Sequence, residues 1–306
     1  MLRITDARTG ETVDAVRARR GLTRVEAHVE RDDLSALRVL LVADVLARAL
    51  ELGGTPVATV ADPPAALRAR ADALGIRRAE GERGGAGPAL HVLASASGAP
   101  EGPAPGRSAS EEAAPMDATT MGATSMGSTS MGENSTDPTS TDPTSTDPTS
   151  TDPTSTDPTS TDTAPAGQGP VIPAPSDADL DGVRIEVAPV SGTADPSLLR
   201  MILLAAPRRQ SLDLAAADLD GARETLGRWR EAVAGWATRP SKPVPEHVRQ
   251  ELRAAWEDDL DVPAVLEVLR RVEHAEDVPD GARFETYAYA DRLLGLELTR
   301  DIGTQW

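Results

Sequence analysis

Beginning at Met116 the chain repeats with a period of five, as MDATT, MGATS, MGSTS and MGENS, and then as TDPTS five times over from Thr136 to Ser160. A five-residue period fits neither a helical solenoid nor a heptad coiled coil. Each TDPTS unit carries a Pro that removes a backbone donor and interrupts helix. From about residue 94 to 176 the chain almost lacks Ile, Leu, Val and aromatic side chains, so nothing there offsets the entropy of ordering it. The expectation is a disordered, extended, acidic linker over 94–176. Its methionines, Met116, Met121, Met126 and Met131, suggest a metal-binding tract only through low-complexity spacing. Folded structure must therefore come from residues 1–93 and 177–306, enough for one sizeable core or two small ones.

Charge follows the same division. The net charge is −18, and more than half of it belongs to the apolar-poor segment. The remainder gives no broad electrostatic footprint for nucleic acid, and DNA is not expected as a partner; a local arginine stripe on an acidic protein stays open. The absence of Cys excludes a disulfide framework, a thiol nucleophile and a Cys-ligated zinc. The segment Met1 to Asp6 lacks a signal-peptide core, and the apolar runs Val39 to Ala43 and Met201 to Pro207 are too short to span a bilayer. A cytoplasmic protein without a membrane partner is the expectation. Lys242 is the only lysine, which removes any mechanism needing two.

The apolar pattern predicts a truncated Rossmann-like parallel sheet over 1–93, a returning strand and connection over 177–196, and an antiparallel helical bundle over 197–306. This is an α/β unit joined to an all-α one. Arg3 to Thr5 and Thr12 to Val16 flank the hairpin signal Arg8-Thr9-Gly10. Strands are expected at Arg24 to Glu30, Thr55 to Val60 and Ala89 to Leu93, with helices at Ser35 to Leu52 and from Pro63-Pro64 to about Leu74. Val183 to Val187 reads as one more strand, followed by helices only. Among these, Leu219, Ala222, Leu226, Trp229, Val233 and Trp236 form one apolar stripe. Further helices are expected from Pro196 to about Ala206, Pro245 to Trp256, Val262 to about His274 and Phe284 to Leu294.

Two blocks resemble cysteinyl-tRNA synthetase, a class I synthetase, and its mycothiol-ligase relatives. Leu199 to Leu214 runs without a gap along the family pattern LRYFLLSAHYRSPLDF, and Asp258 to Ala264 follows DDxNTPxA. Arg38 to Val57 follows ARTYVVFDVLRRYLRYRGYDV, including Asp44-Val45-Leu46, Arg48, Leu50 and Gly54. Leu293 to Leu296 resembles the family's bundle ending. The resemblance implies ATP and zinc as cofactors and tRNA or an amino-acid acceptor as substrate.

The departures fall on the chemistry. Where the family has a zinc-binding Cys in YVCGPT, this chain has Val25-Glu26-Ala27-His28-Val29. The HIGH motif, whose imidazoles cradle ATP phosphates at a helix N-terminus, should precede Arg38; Asp32-Asp33-Leu34-Ser35-Ala36-Leu37 stands there. The KMSKS loop should lie shortly before Leu199, where Pro189 to Asp195 holds no lysine. Lys242 comes after the following helix and reads as part of an interhelical turn. No catalytic residue, cofactor or metal is therefore assigned.

Other candidates have an ordinary reading beside the functional one. His28, His91, His247 and His274 show no helical ligand spacing and read as ordinary strand or surface residues. Glu257, Asp258, Asp259 and Asp261 precede Val262-Pro263 as a helix cap would, with a cation site as the alternative. Arg208, Arg209 and Arg223, with Arg228 and Arg230, are candidate contacts to an RNA backbone, or else a solvated face paired with Glu224 and Glu231. All seven aromatics lie at or beyond residue 229 and read as bundle core. The function expected is a non-catalytic paralogue binding tRNA or a protein of the translation machinery, with a weakly active cysteine-dependent ligase as the alternative.

Overall fold

The computed structural model describes residues 1–16, 22–79, 89–95 and 181–304. The repeat and nearly all of the expected linker lie outside the described residues. Arg3–Thr5 (β1) and Thr12–Asp14 (β2) pair antiparallel across a turn in which Gly10 has φ +73°. Thr23–His28 (β3), Val57–Ala61 (β4), Ala89–Ala94 (β5) and Gly182–Val187 (β6) form a four-stranded, wholly parallel sheet in the order β4-β3-β5-β6. This is the expected Rossmann-like arrangement.

One face of the sheet is apolar. Val25, Ala27, Leu90, Val92, Ile185 and Val187 are buried in the same core as Leu34–Leu52 (α1), which packs on all four strands. Fourteen of the nineteen residues of α1 are buried, as befits a helix with apolar residues on most of its circumference. Ala65–Ala73 (α2) packs against α1.

After β6 come the short strand Val190–Ser191 (β7), then Pro196–Ala205 (α3) and Leu212–Asp213 (β8), and β7 pairs with β8 in parallel. This corrects the expectation of helices only: two-residue strands are too short to show any period. The remaining elements are Leu219–Trp236 (α4), Glu246–Glu257 (α5), Val262–His274 (α6) and Asp280–Leu294 (α7). On α4 the apolar stripe turns inward, with Leu226, Trp229 and Val233 buried. Tyr287 of α7 meets Trp229 and Trp236 edge-on, its hydroxyl donates to the Leu269 carbonyl at 2.8 Å, and burial raises its pKa. Helix α7 begins one turn earlier than the sequence predicts.

The described elements from both ends of the chain belong to one compact unit, Met1–Pro100 with Ile172–Trp306; the second unit, Glu101–Val171, lies outside the described residues. Strand β6 pairs with β5 from Ala89↔Gly182 to Ala94↔Val187, so the two ends share a sheet. Excision of residues 101–171 is therefore expected to leave the unit folded, within about 2 kcal/mol of the full chain, because closure entropy grows only with the logarithm of loop length. In the full chain, limited proteolysis between about residues 95 and 175 should yield fragments that co-elute on a sizing column. Separate elution would contradict this.

Candidate functional site

Open parallel sheets bind ligands beyond the carboxyl ends of their strands, where strand order reverses. Here that point lies between β3 and β5, with β4 on one side of β3 and β5 on the other. The sheet face opposite Val25 and Ala27 carries Arg24, Glu26 and His28 of β3, His91 of β5, and Arg184 and Glu186 of β6, as the registers Glu26↔His91 and His91↔Arg184 require. Glu26, His91 and Arg184 are buried. Sequence reading left the histidines apart, but pairing of β3 with β5 sets His28 Nε2 3.0 Å from His91 Nδ1, and His91 Nδ1 3.5 Å from Glu26 Oε2. Glu26 also forms an ion pair with Arg24. Burial lowers the pKa of His91, against the opposing pull of Glu26, so its ring is neutral at pH 7. The alternation of polar and apolar residues along β3 and β6 was the available signal; the register that joins them was not.

The N-terminus of α1 is where the resemblance implies a phosphate seat. Asp33 caps it, its carboxylate accepting from Ala36 N at 2.8 Å, and Asp32 pairs with Arg70 at 3.1 Å. Ser35 Oγ accepts from the Val190 backbone N–H at 3.0 Å, which ties this helix start to the segment where the family's lysine loop would lie. The chain thus brings those two positions together and fills them with a carboxylate, a hydroxyl and backbone. Neither the phosphate seat nor a Cys-containing zinc site fits the residues present.

A cleft of about 230 Å³ lies beside α1, α2 and the end of β4, lined by Ala27, Leu40, Asp44, Thr59, Arg68 and Arg77 among others. Its charges are committed to ion pairs, Arg68 with Asp62 outside the cleft and Arg77 with Asp44. Asp44, almost fully buried, pairs with Arg48 at 3.0 Å, Arg77 at 2.9 Å and Arg200 at 3.1 Å. Burial would raise the Asp44 pKa, but these guanidinium groups hold it below the usual carboxylate range. The cleft is a scaffold feature with a negative centre already neutralised.

The candidate RNA contacts divide. Arg208 is buried and binds Asp259, with a further donation to the Glu186 carbonyl at 3.0 Å, so its guanidinium serves the interior. Arg209 and Arg223 are exposed, Arg223 with Asp220 at 2.8 Å. Arg228 pairs with Glu273 and Arg230 donates to the Leu296 carbonyl, in place of the expected Glu224 and Glu231. The acidic group is dispersed in role: Asp261 caps α6, Asp259 binds Arg208, and Glu257 pairs with the N-terminal ammonium. His247 and His274 are exposed, and Lys242 lies in the connection between α4 and α5.

No family model matches the chain. It is similar to curated ligases described as L-cysteine:1D-myo-inositol 2-amino-2-deoxy-alpha-D-glucopyranoside ligase. The Streptosporangium roseum protein is 36% identical over 121 residues, which are 38% of this chain and 29% of that protein. The Streptomyces griseus protein is 38% identical over 108 residues, 34% of this chain and 25% of that protein. For the Streptomyces scabiei protein the figures are 35% over 108 residues, with 34% and 25% covered. The match thus spans less than a third of each relative. It agrees with the resemblance to the mycothiol-ligase relatives of cysteinyl-tRNA synthetase.

Proposed function

We propose that the chain is a non-catalytic relative of the cysteine ligases, a scaffold that keeps the family's packing and binds a macromolecular partner, tRNA or protein. The reading takes the C-terminal helices as the family's antiparallel bundle and residues 94–176 as a linker. The observation that carries it is the Asp33 carboxylate capping α1 on the Ala36 amide. An ATP phosphate there would meet negative charge instead of imidazole, and preorganised electrostatic stabilisation is usually the largest catalytic term. A protein partner is favoured over tRNA, because only Arg209 and Arg223 of the three candidate arginines face solvent.

The second reading, a weakly active ATP-dependent cysteine ligase, draws on the relatives' names alone. Purified full-length protein assayed for cysteine-dependent ATP–pyrophosphate exchange separates the two. Exchange at background is expected; turnover that depends on cysteine and is abolished by substitutions at residues 24 to 60 would establish the ligase reading. In parallel, tRNA retention at low salt that weakens steeply as salt rises, and falls further in Arg209→Ala/Arg223→Ala, would assign RNA as the partner. No retention at low salt leaves a protein.

A further inference from the structure

The buried polar face of the sheet holds three donor groups that converge without any thiolate. Glu26, His28 and His91 each offer one ligand atom, and these three atoms lie within 4.8 Å of one another, on adjacent strands fixed by the Glu26↔His91 register. With its proton on Nε2, 3.5 Å from the Asp181 carbonyl, His91 presents the Nδ1 lone pair. That lone pair then lies 3.5 Å from a Glu26 carboxylate oxygen, and a cation shared by the two satisfies both acceptors.

The proton on His28 Nε2 is one such cation substitute, at 3.0 Å from Nδ1. A metal ion is the other. Two ligands about 2.1 Å from a tetrahedral zinc stand about 3.4 Å apart, close to both observed separations. The carbonyl of Asp181 then acts as the orienting acceptor that metal-bound imidazoles ordinarily have.

We propose that Glu26, His28 and His91 form a binding site for a transition-metal dication of the Zn²⁺ type, independent of any ligase activity. His28 joins by carrying its proton on Nδ1 and presenting the Nε2 lone pair. Two neutral imidazoles and one carboxylate suit Zn²⁺, Co²⁺ or Ni²⁺, whereas Ca²⁺ and Mg²⁺ demand an oxygen cage. The guanidinium groups of Arg24 and Arg184 on the same face further disfavour an ion held by charge alone. Three protein ligands leave a fourth position for water, the ligand count of open rather than closed zinc sites.

The test uses the full chain, stripped with a chelator and dialysed. Titration with Zn²⁺ alone, followed by calorimetry, should give about one ion per chain and raise the melting temperature. Co²⁺ in the same site should develop visible absorption. Glu26→Gln should weaken binding at least tenfold, and His28→Gln and His91→Gln should abolish it, while His247→Gln/His274→Gln should leave it unchanged. His91 is buried and its substitution can unfold the sheet; His28, half-buried at the strand end, then decides the matter alone. Absence of stoichiometric binding by the parent, or binding undiminished in folded His28→Gln, overturns the proposal.

Discussion

Replacement of Arg200 by Met is expected to destabilise the fold by about 3 to 5 kcal/mol, measured by urea unfolding at pH 7. Arg200 is buried where α1, α2, α3 and α7 meet. It donates to Asp44 at 3.1 Å, to the Leu294 carbonyl at 2.7 Å and to the Leu74 carbonyl at 2.9 Å. Gly295, in the left-handed region at φ +60°, leaves room for it: a Cβ there would stand 2.6 Å from the guanidinium. Met fills similar volume but supplies no donor, so two helix-end carbonyls lose their partner at about 1 to 3 kcal/mol each. Asp44 keeps Arg48 and Arg77, which holds the total within that range. The acid limb of the stability profile should move as well. With its folded pKa below the unfolded value of about 3.9, Asp44 contributes stability that is present above that value and lost as pH falls through the folded one. Removing one guanidinium raises the folded pKa toward the unfolded value, so Arg200→Met should lose less stability on acidification than the parent and complete that loss at a higher pH. In Asp44→Asn the acid dependence should flatten. A change below about 1 kcal/mol at pH 7 for Arg200→Met would show that the network contributes little.

How much of this was legible in the sequence depends on whether a feature is local. The stripe on α4, the Asp261 cap of α6 and the turn at Gly10 are each set by residues within one or two turns of chain, and each is found where the pattern puts it. The first turn of α7 was missed because Asp280 and Gly281 are weak helix formers; only tertiary packing fixes them. Arg208 and Arg209 are adjacent and alike in sequence, yet one is buried against Asp259, a partner remote in the chain, and the other is exposed. The pairing of His28 with His91 depends on the register of β3 against β5, and neither strand encodes the offset by itself. By contrast, Arg38, Asp44, Arg200 and Arg208, which lie in the blocks carrying the family resemblance, prove to be buried polar groups of the framework, with Arg48 half-buried beside Asp44. What the resemblance detects is therefore packing, and the chemistry must be judged at the N-terminus of α1 and on the polar sheet face.

Arg38→Met should be at least as damaging as Arg200→Met, and for a different reason. Arg38 is buried on α1, and among the described residues it has no carboxylate partner; it donates only to carbonyls. NH1 reaches the Ala188 and Gln210 oxygens at 3.0 and 2.8 Å, and NH2 those of Ala206 and Pro207 at 3.2 and 2.8 Å. Ala206 and Pro207 follow the end of α3, whose last turn contains no basic residue of its own. The guanidinium of α1 thus supplies the positive charge that the carboxyl end of α3 favours. Burial lowers its pKa to about 10, so the group is still charged at pH 7. Loss of the fork strands the Ala188 carbonyl before β7 and three carbonyls between α3 and β8, and about 3 to 5 kcal/mol is expected from the unsatisfied acceptors. Arg38→Lys distinguishes this from a simple charge effect. An ammonium keeps the charge but offers three donors from one point and cannot bridge four oxygens in a plane, so it should recover only part of the loss. Full recovery by Lys would mean that α3 needs a cation and not a clamp. Equal loss in both variants would assign the whole effect to the fork that joins α1 to α3.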